Sequence, residues 1–294
     1  MIFSEVLLKH DGELSECLDE LFSSAYKNQA YPTDLLLVVT HGYFDESIKQ
    51  AFPNVTGFMI GAGKNHEEFT ERTQYNFYNQ YRKNHLDCAF ELSEGINSYD
   101  DFIGKIQEDK ELKKFEISSV DLELIIYQKI WETDLLLKRV GQLIRLAQGK
   151  DYEWNFKIRD SGNFIKNKIL SESKNKLPKL YNFINGNYSK ELRNAIAHSQ
   201  YYLASRRIHV HKPPFSLNLT FEDWSIIFHK LLLFYNHYIK ELKKYDDIYI
   251  KSYAAKRTLN IKIPETLNQN EKLKHKLISV EYFERGQRWT FKQN

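Results

Sequence analysis

The chain is poor in the residues that cross-link or punctuate a fold, with 2 cysteines, 6 prolines and 12 glycines among 294 residues. Cys17 and Cys88 are too few for a disulfide scaffold or a CxxC-type zinc site, so both read as reduced, semi-buried apolar side chains. Scarce proline and glycine leave room for long uninterrupted elements, which favours helix. No apolar run approaches the roughly 18 to 20 residues of a membrane span. The opening MIFSEVLLKHDGE has neither a basic lead nor a cleavable apolar stretch. A soluble, cytoplasmic chain with no membrane partner is therefore expected. Disorder is excluded by composition, since 42% of residues are hydrophobic and 14% aromatic.

Charge of one sign is also lacking overall, but the net +3 conceals a split. Residues 1–110 hold 9 basic and 19 acidic side chains, net −10, whereas residues 111–294 hold 33 basic and 20 acidic, net +13. Such asymmetry suggests separate units, the basic one suited to a polyanion such as nucleic acid. The expected division is an acidic α/β module at 1–110, a basic helical bundle at 111–247 and a small β-rich extension at 248–294.

Within the first stretch, Leu14, Leu18, Leu21 and Phe22 recur at helical spacing over residues 13–28. The apolar run DLLLVVTHG at 34–42 reads as a buried strand, ESIKQAF as a short helix and VTGFMIGAG at 55–63 as a second strand, giving a β-α-β unit. Aromatics from Glu67 to Glu91 suggest a further helix, and composition shifts at 95–112. In the second stretch, Val120, Leu124, Tyr127, Trp131, Leu135, Val140 and Ile144 form one 30-residue helical pattern over 119–148 that ends at Gly149. One or two shorter helices follow over 161–185, interrupted at Leu177-Pro178. A further helix runs from about Lys190 with Ser189 as N-cap, continuing through YYLAS. Pro213-Pro214 close that section, and Thr220-x-x-Asp223 opens the last helix as a capping-box variant. Four helices in this order make a bundle the default. Beyond about 248, TLNIKIPE, KLISVEYF and RWTFKQ alternate as strands do, predicting a terminal β-hairpin or three-stranded patch.

The segment Glu191-Leu192-Arg193-Asn194-Ala195-Ile196-Ala197-His198 carries the clearest chemistry. On a continuing helix, Leu192, Ala195, Ile196, Ser199, Tyr202 and Leu203 would share one face, and Asn194, His198, Tyr201 and Ser205 another. Asn194 would then hydrogen-bond His198 and fix its tautomer. Arg193 precedes His198 by five positions, about 140° round the axis. Only its long side chain would bring it near the imidazole, which makes more sense in a cleft shared with a second copy.

An arginine, a polar residue directly after it and a histidine four to six residues on, placed on the third main helix of a bundle, resembles the R-x(4-6)-H signature of the HEPN superfamily. The matching residues are Arg193, Asn194 and His198, within a likeness that spans roughly 115–245 through helix order. A second spacing match, Arg206 with His211, lies in RRIHVHKPP beside the proline pair, where no helix continues. The resemblance implies a HEPN-like helical bundle, which with the patterned N-terminal α/β module and short C-terminal β-hairpin makes the expected fold mainly α. It further implies a metal-independent endoribonuclease, commonly dimeric with two motifs across one cleft, and a toxin or antiviral-defence setting with an antitoxin or other regulatory partner. His198 would carry protons, Arg193 would hold the scissile phosphate, and Asn194 would orient His198 or a phosphate oxygen. The product would be a 2′,3′-cyclic phosphate, with no cofactor required. Tyr201, Arg206, Arg207 and Lys212 follow the motif as candidate RNA contacts, with a solvated basic loop as the alternative.

Weaker candidates each have a structural reading. Glu132 and Asp134 would be acids near the site or solvated helix positions. His229 and His237 are read as packed side chains rather than metal ligands. GAGKN at 61–65 departs from a phosphate-binding loop and reads as a turn. Thr40-His41-Gly42 sits where an α/β unit places a ligand loop, so chemistry around His41 and Gly61 to Lys64 is the alternative enzyme site. Tyr75, Phe77, Tyr78 and Tyr81 would stack on bases or fill a core.

Overall fold

Helix dominates the computed structural model, which describes residues 4–51, 57–61, 66–91, 101, 104–105, 108–212, 215–256, 258–265 and 275–292. In chain order the elements begin with α1 (Ser4–Asn28), α2 (Asp34–Thr40), β1 (Gly42–Phe44), α3 (Glu46–Ala51), β2 (Phe58–Ile60) and α4 (His66–Glu91). Next come α5 (Lys110–Trp131), α6 (Asp134–Ala147), α7 (Ser161–Phe164), a π-helical stretch (Ile165–Leu170) and α8 (Ser171–Ser173). Then follow α9 (Pro178–Asn187), α10 (Lys190–Ala197), β3 (Tyr201–Ala204), β4 (Arg207–Lys212) and β5 (Phe215–Thr220). The chain finishes with α11 (Phe221–Lys256), β6 (Leu259–Pro264), β7 (His275–Phe283) and β8 (Arg288–Phe291). The fold is mainly α with small antiparallel sheets. Among the described residues no helix is long and apolar enough to cross a membrane.

Contacts group the chain into two units, each assembled from three separate stretches. The first unit holds Met1–Cys17, Thr70–Thr133 and Tyr181–His237; the second holds Leu18–Phe69, Asp134–Leu180 and Tyr238–Asn294. The sequential division at 110 and 247 therefore rests on charge and composition alone. Residues 1–110 supply buried Leu14 and Tyr81 to the first unit and buried Leu18, Leu21, Phe22 and Leu35 to the second.

In the first unit the core is organised by α5. Asp109 caps its N-terminus by accepting from the Glu111 and Leu112 amides. The helix buries Val120, Leu124, Ile126, Tyr127, Ile130 and Trp131, each full burial of such a side chain contributing about 1.5–3 kcal/mol. The expected 30-residue helix ends here and resumes as α6. Thr133 turns its hydroxyl back onto the Lys129 carbonyl at 2.8 Å, a side-chain bond that competes with continued helix, and Asp134 restarts the ladder. Glu123, fully buried, accepts from Tyr81 Oη at 2.8 Å and Trp224 Nε1 at 2.8 Å. Both oxygens of this carboxyl group are thus hydrogen-bonded, as a buried polar group requires. Thr220 and Asp223 cap the start of α11 as anticipated, with the Asp223 amide donating to Thr220 Oγ1 at 3.1 Å.

In the second unit, residues 34–40 form a helix and not the expected strand. A short apolar run buried on all sides has no period that separates the two. Its ends decide the matter: the Leu35 amide donates to Gln29 Oε1 at 2.9 Å, and the Val38 and Val39 carbonyls accept from the Arg139 guanidinium at 3.0 Å each. The expected β-α-β unit is likewise replaced, because β1 and β2 pair antiparallel around α3. The terminal patch appears as a three-stranded antiparallel sheet β6-β7-β8, although α11 extends to Lys256, past the change expected near 248.

The largest departure is in α10, which stops at Ala197 instead of running through Ser205. His198 is the C-cap. The Ser199 amide donates to the Ile196 carbonyl at 3.1 Å and the Gln200 amide to the Ala195 carbonyl at 2.7 Å, the two bonds of a Schellman ending. Ser199 takes the left-handed position with φ 52°, where glycine is usual, so no glycine signals the stop. β3, β4 and β5 then form an antiparallel meander. Ser205 and Arg206, with φ 50° and 52°, make the two-residue turn between Ala204 and Arg207, the type I′ pattern that suits strand twist. Replacing Ser199→Gly removes a left-handed strain worth about 1 kcal/mol. We expect a higher urea midpoint for this variant; an unchanged or lower midpoint would contradict that assignment.

Candidate active site

Tyr127 sets the direction of the motif helix. Its buried hydroxyl donates to the Asn187 carbonyl at 3.0 Å and accepts from the Ser189 amide at 2.9 Å. Burial pushes this phenol well above its ordinary range, so it remains a neutral donor and acceptor. Ser189 then caps α10, its hydroxyl accepting from the Leu192 amide at 3.1 Å. Leu192, Ala195 and Ile196 face the core.

Arg193 is held in place on the flank of that face. Its Nη1 lies 3.1 Å from Glu132 Oε1, and its Nη2 donates to Asn194 Oδ1 at 2.7 Å. The Arg193 side chain is only 12% exposed, so it is mostly buried with its fork oriented by two acceptors. Asn194 therefore orients Arg193 through its side chain, and it meets His198 through the backbone, where the His198 amide donates to the Asn194 carbonyl at 3.1 Å. The expected side-chain bond from Asn194 to His198 is replaced by this arrangement. His198 itself is exposed at the helix end.

The stripe expected on one helical face is broken after His198. Tyr201 opens β3 and donates its hydroxyl to Asp121 of α5; burial and that carboxylate raise its pKa. Ser205 lies in the hairpin turn. Arg206 is committed to structure: Nε and Nη2 donate to Glu116, the closest at 2.8 Å, and Nη1 lies 2.7 Å from Glu222. Its backbone carbonyl also accepts from the Phe221 amide at 3.1 Å. Four contacts hold a non-glycine residue at positive φ, and Glu116, 4% exposed, gains the counter-charge its burial demands. Arg207 is half-buried on β4 opposite Ala204 and Thr220. The Lys212 backbone pairs with Phe215, while its side chain and that of His211, like Pro213-Pro214, lie outside the described residues.

Glu132 joins the site more closely than its place in the sequence suggested. It follows the last turn of α5, where the helix break exposes its carboxylate to Arg193. A break at Thr133 was the missing signal. Asp134 instead opens α6 in the second unit, its pKa raised by burial.

The other candidates resolve as packing. His229 is fully buried, its Nδ1 within 2.5 Å of the Ser225 carbonyl, and His237 pairs with Asp11 at 2.8 Å. Among the described residues no cluster of three metal-ligating side chains forms. Tyr78 and Tyr81 pack edge-on against Tyr235 and Phe228. In the second unit, His41 contacts Glu67 at 3.3 Å, and Glu67 also pairs with Lys138. Burial lowers the His41 pKa. Burial alone would raise the Glu67 carboxyl, but its bonds to His41 and Lys138 prevail and hold it at about 2. The adjoining cavity of about 30 Å³ has water-scale room. Gly61 turns at φ 78°, and Ala62 to Asn65 lie outside the described residues.

No family model, curated protein or solved structure matches the chain. Arg206 and Arg207, adjacent in sequence, are expected to separate by variant. Arg206→Ala strands Glu116 and costs about 3 kcal/mol, read by urea unfolding, whereas Arg207→Ala unfolds within about 0.5 kcal/mol of wild type. Equal losses would remove the structural role assigned to Arg206.

Proposed function

We propose that the protein is a metal-independent endoribonuclease, resembling the HEPN superfamily, whose site is Arg193, Asn194 and His198. The observation that carries this reading is the exposed histidine on the C-cap of α10, five positions after an arginine fixed by two oriented acceptors. A permanently charged fork and an imidazole are the two groups that transfer of an RNA phosphodiester needs. In the proposed step the ribose 2′ oxygen attacks the adjacent phosphorus, and the 2′-hydroxyl proton passes to neutral His198. Arg193 stabilises charge on the phosphoryl oxygens. The 5′ oxygen leaves with a proton from water or from the imidazole of a second copy, giving a 2′,3′-cyclic phosphate and a 5′-hydroxyl. A homodimer with a composite cleft answers the separation of residues 193 and 198 around α10. A toxin or antiviral-defence role, RNA as partner and an antitoxin or other regulator belong to the same proposal.

A non-catalytic RNA- or protein-binding module is the second reading, and the Glu132–Arg193 ion pair is the observation favouring it. A guanidinium already neutralised offers less to a phosphate. Shielding of the basic part by the acidic stretch is a further element of the proposal, motivated by the −10 and +13 split. Removing residues 1–110 would also remove core side chains of both units, so titration with salt is the cleaner probe of shielding.

Labelled single-stranded RNA incubated with the full chain in EDTA should be cut to cyclic-phosphate ends, and Arg193→Ala and His198→Ala should each abolish cutting. EDTA-sensitive cleavage would sink the metal-independent mechanism, and binding without cleavage would move the conclusion to the second reading. Glu132→Gln removes one exposed carboxylate partner of Arg193, an interaction on the order of 1 kcal/mol. RNA affinity by anisotropy should rise by up to about fivefold; a fall would mean that Glu132 serves to position Arg193.

A further inference from the structure

Alternation along the β3-β4-β5 meander gives its two faces different chemistry. Ile208 and Val210 are buried, and α10 packs against β4. On the other face, Tyr202 lies opposite His209, and Ala204 opposite Arg207. Asn218 sits across from His209 on β5. Period-two geometry places all of these side chains on one side of the sheet.

Tyr202 is 58% exposed, the largest value among the exposed hydrophobic side chains described. Core packing therefore does not explain it. Its ring stacks on the His209 imidazole with centroids 4.6 Å apart and planes 10° from parallel. His209 Nε2 is fixed in turn by donating to the Ala204 carbonyl at 3.2 Å. The stacked pair thus has its plane set before any ligand arrives, and ordering a rotamer-rich side chain is a cost already met. Charge agrees with the geometry. Residues 201–220 include Arg206, Arg207 and Lys212 and no acidic residue. Arg207 shares the face of Tyr202 and His209, and β3 begins three residues after His198.

We propose that Tyr202 and His209 form a stacking platform for an unpaired base of the RNA substrate, with Arg207 beside it for the neighbouring phosphate. The assignment rests on the nuclease reading and names its substrate class as single-stranded RNA. Unstacked bases are what such a surface recognises, since a base in a duplex has no free face to offer. Sequence preference would be weak, because every base has a π-face. In the sequence His209 falls in the basic segment that follows the motif, a candidate RNA contact, whereas the helical reading places Tyr202 on a core face.

The test uses the full chain in EDTA, a fluorescein-labelled single-stranded oligoribonucleotide and the matching duplex. Tyr202→Ala should weaken single-strand binding by about tenfold, in the range of one lost base–aromatic stack, and leave the duplex affinity unchanged. Tyr202→Phe, which keeps the ring, should bind as wild type does. Because Tyr202 is exposed, the thermal transition of both variants should match wild type. Cleavage and affinity left at full strength in Tyr202→Ala would overturn the platform while the nuclease reading stands. Equal weakening on both RNAs would also overturn it, since shape or charge and not stacking would then be at work. A wild type that neither binds nor cuts RNA would overturn both inferences.

Discussion

A single buried hydroxyl governs the geometry on which the candidate site depends. Tyr127 Oη satisfies one carbonyl at the end of α9 and one amide at the start of α10. A turn between two helices exposes several backbone groups that need partners. Meeting two of them from the buried face of α5 ties the entry point of α10 to the core of its unit. Tyr127 is itself held edge-on by Trp224 at 5.4 Å, and Trp224 donates to Glu123. The motif helix is therefore positioned through a chain of buried polar contacts, and not by the surface it presents.

Much of the fold was legible because its signals were local. Leu14, Leu18, Leu21 and Phe22 gave α1 by spacing, Ser189 and the Thr220-Asp223 pair gave helix starts by capping, and the alternating tail gave β6, β7 and β8. What failed had non-local causes. Residues 34–40 are helical because Arg139, a hundred positions away, satisfies their last carbonyls. The break after Trp131 is set by one threonine hydroxyl in an otherwise unbroken apolar pattern. The end of α10 carries no glycine, since Ser199 accepts the left-handed conformation. As to the site, Arg193, Asn194 and His198 were singled out from their order, yet their mutual bonds differ from a helical projection. Glu132 is a weaker candidate in the sequence, and both its pairing with Arg193 and the stacking of Tyr202 on His209 depend on where α5 and α10 end.

Arg193 and Arg206, both in the first unit, illustrate how one side-chain type divides its labour. Arg206 is surrounded by Glu116 and Glu222 at a strained turn, so its charge is spent within the fold. Arg193 meets one exposed carboxylate and one amide, partners that a phosphate can displace at small cost. Burial of the carboxylate partner is the distinguishing quantity. Sequence position cannot report it, because Glu116 and Glu132, the acidic partners, lie 90 and 61 positions away.

The eight residues of α10 are closed at one end by the Ser189 cap and at the other by the Schellman bonds of Ser199 and Gln200. Each residue of helix turns the chain by about 100°. One insertion or deletion between Arg193 and His198 would turn the imidazole by about 100° round the axis relative to the guanidinium. Length in this helix is consequently quantised, and viable descendants of the chain must vary it elsewhere, in the connections outside 189–200.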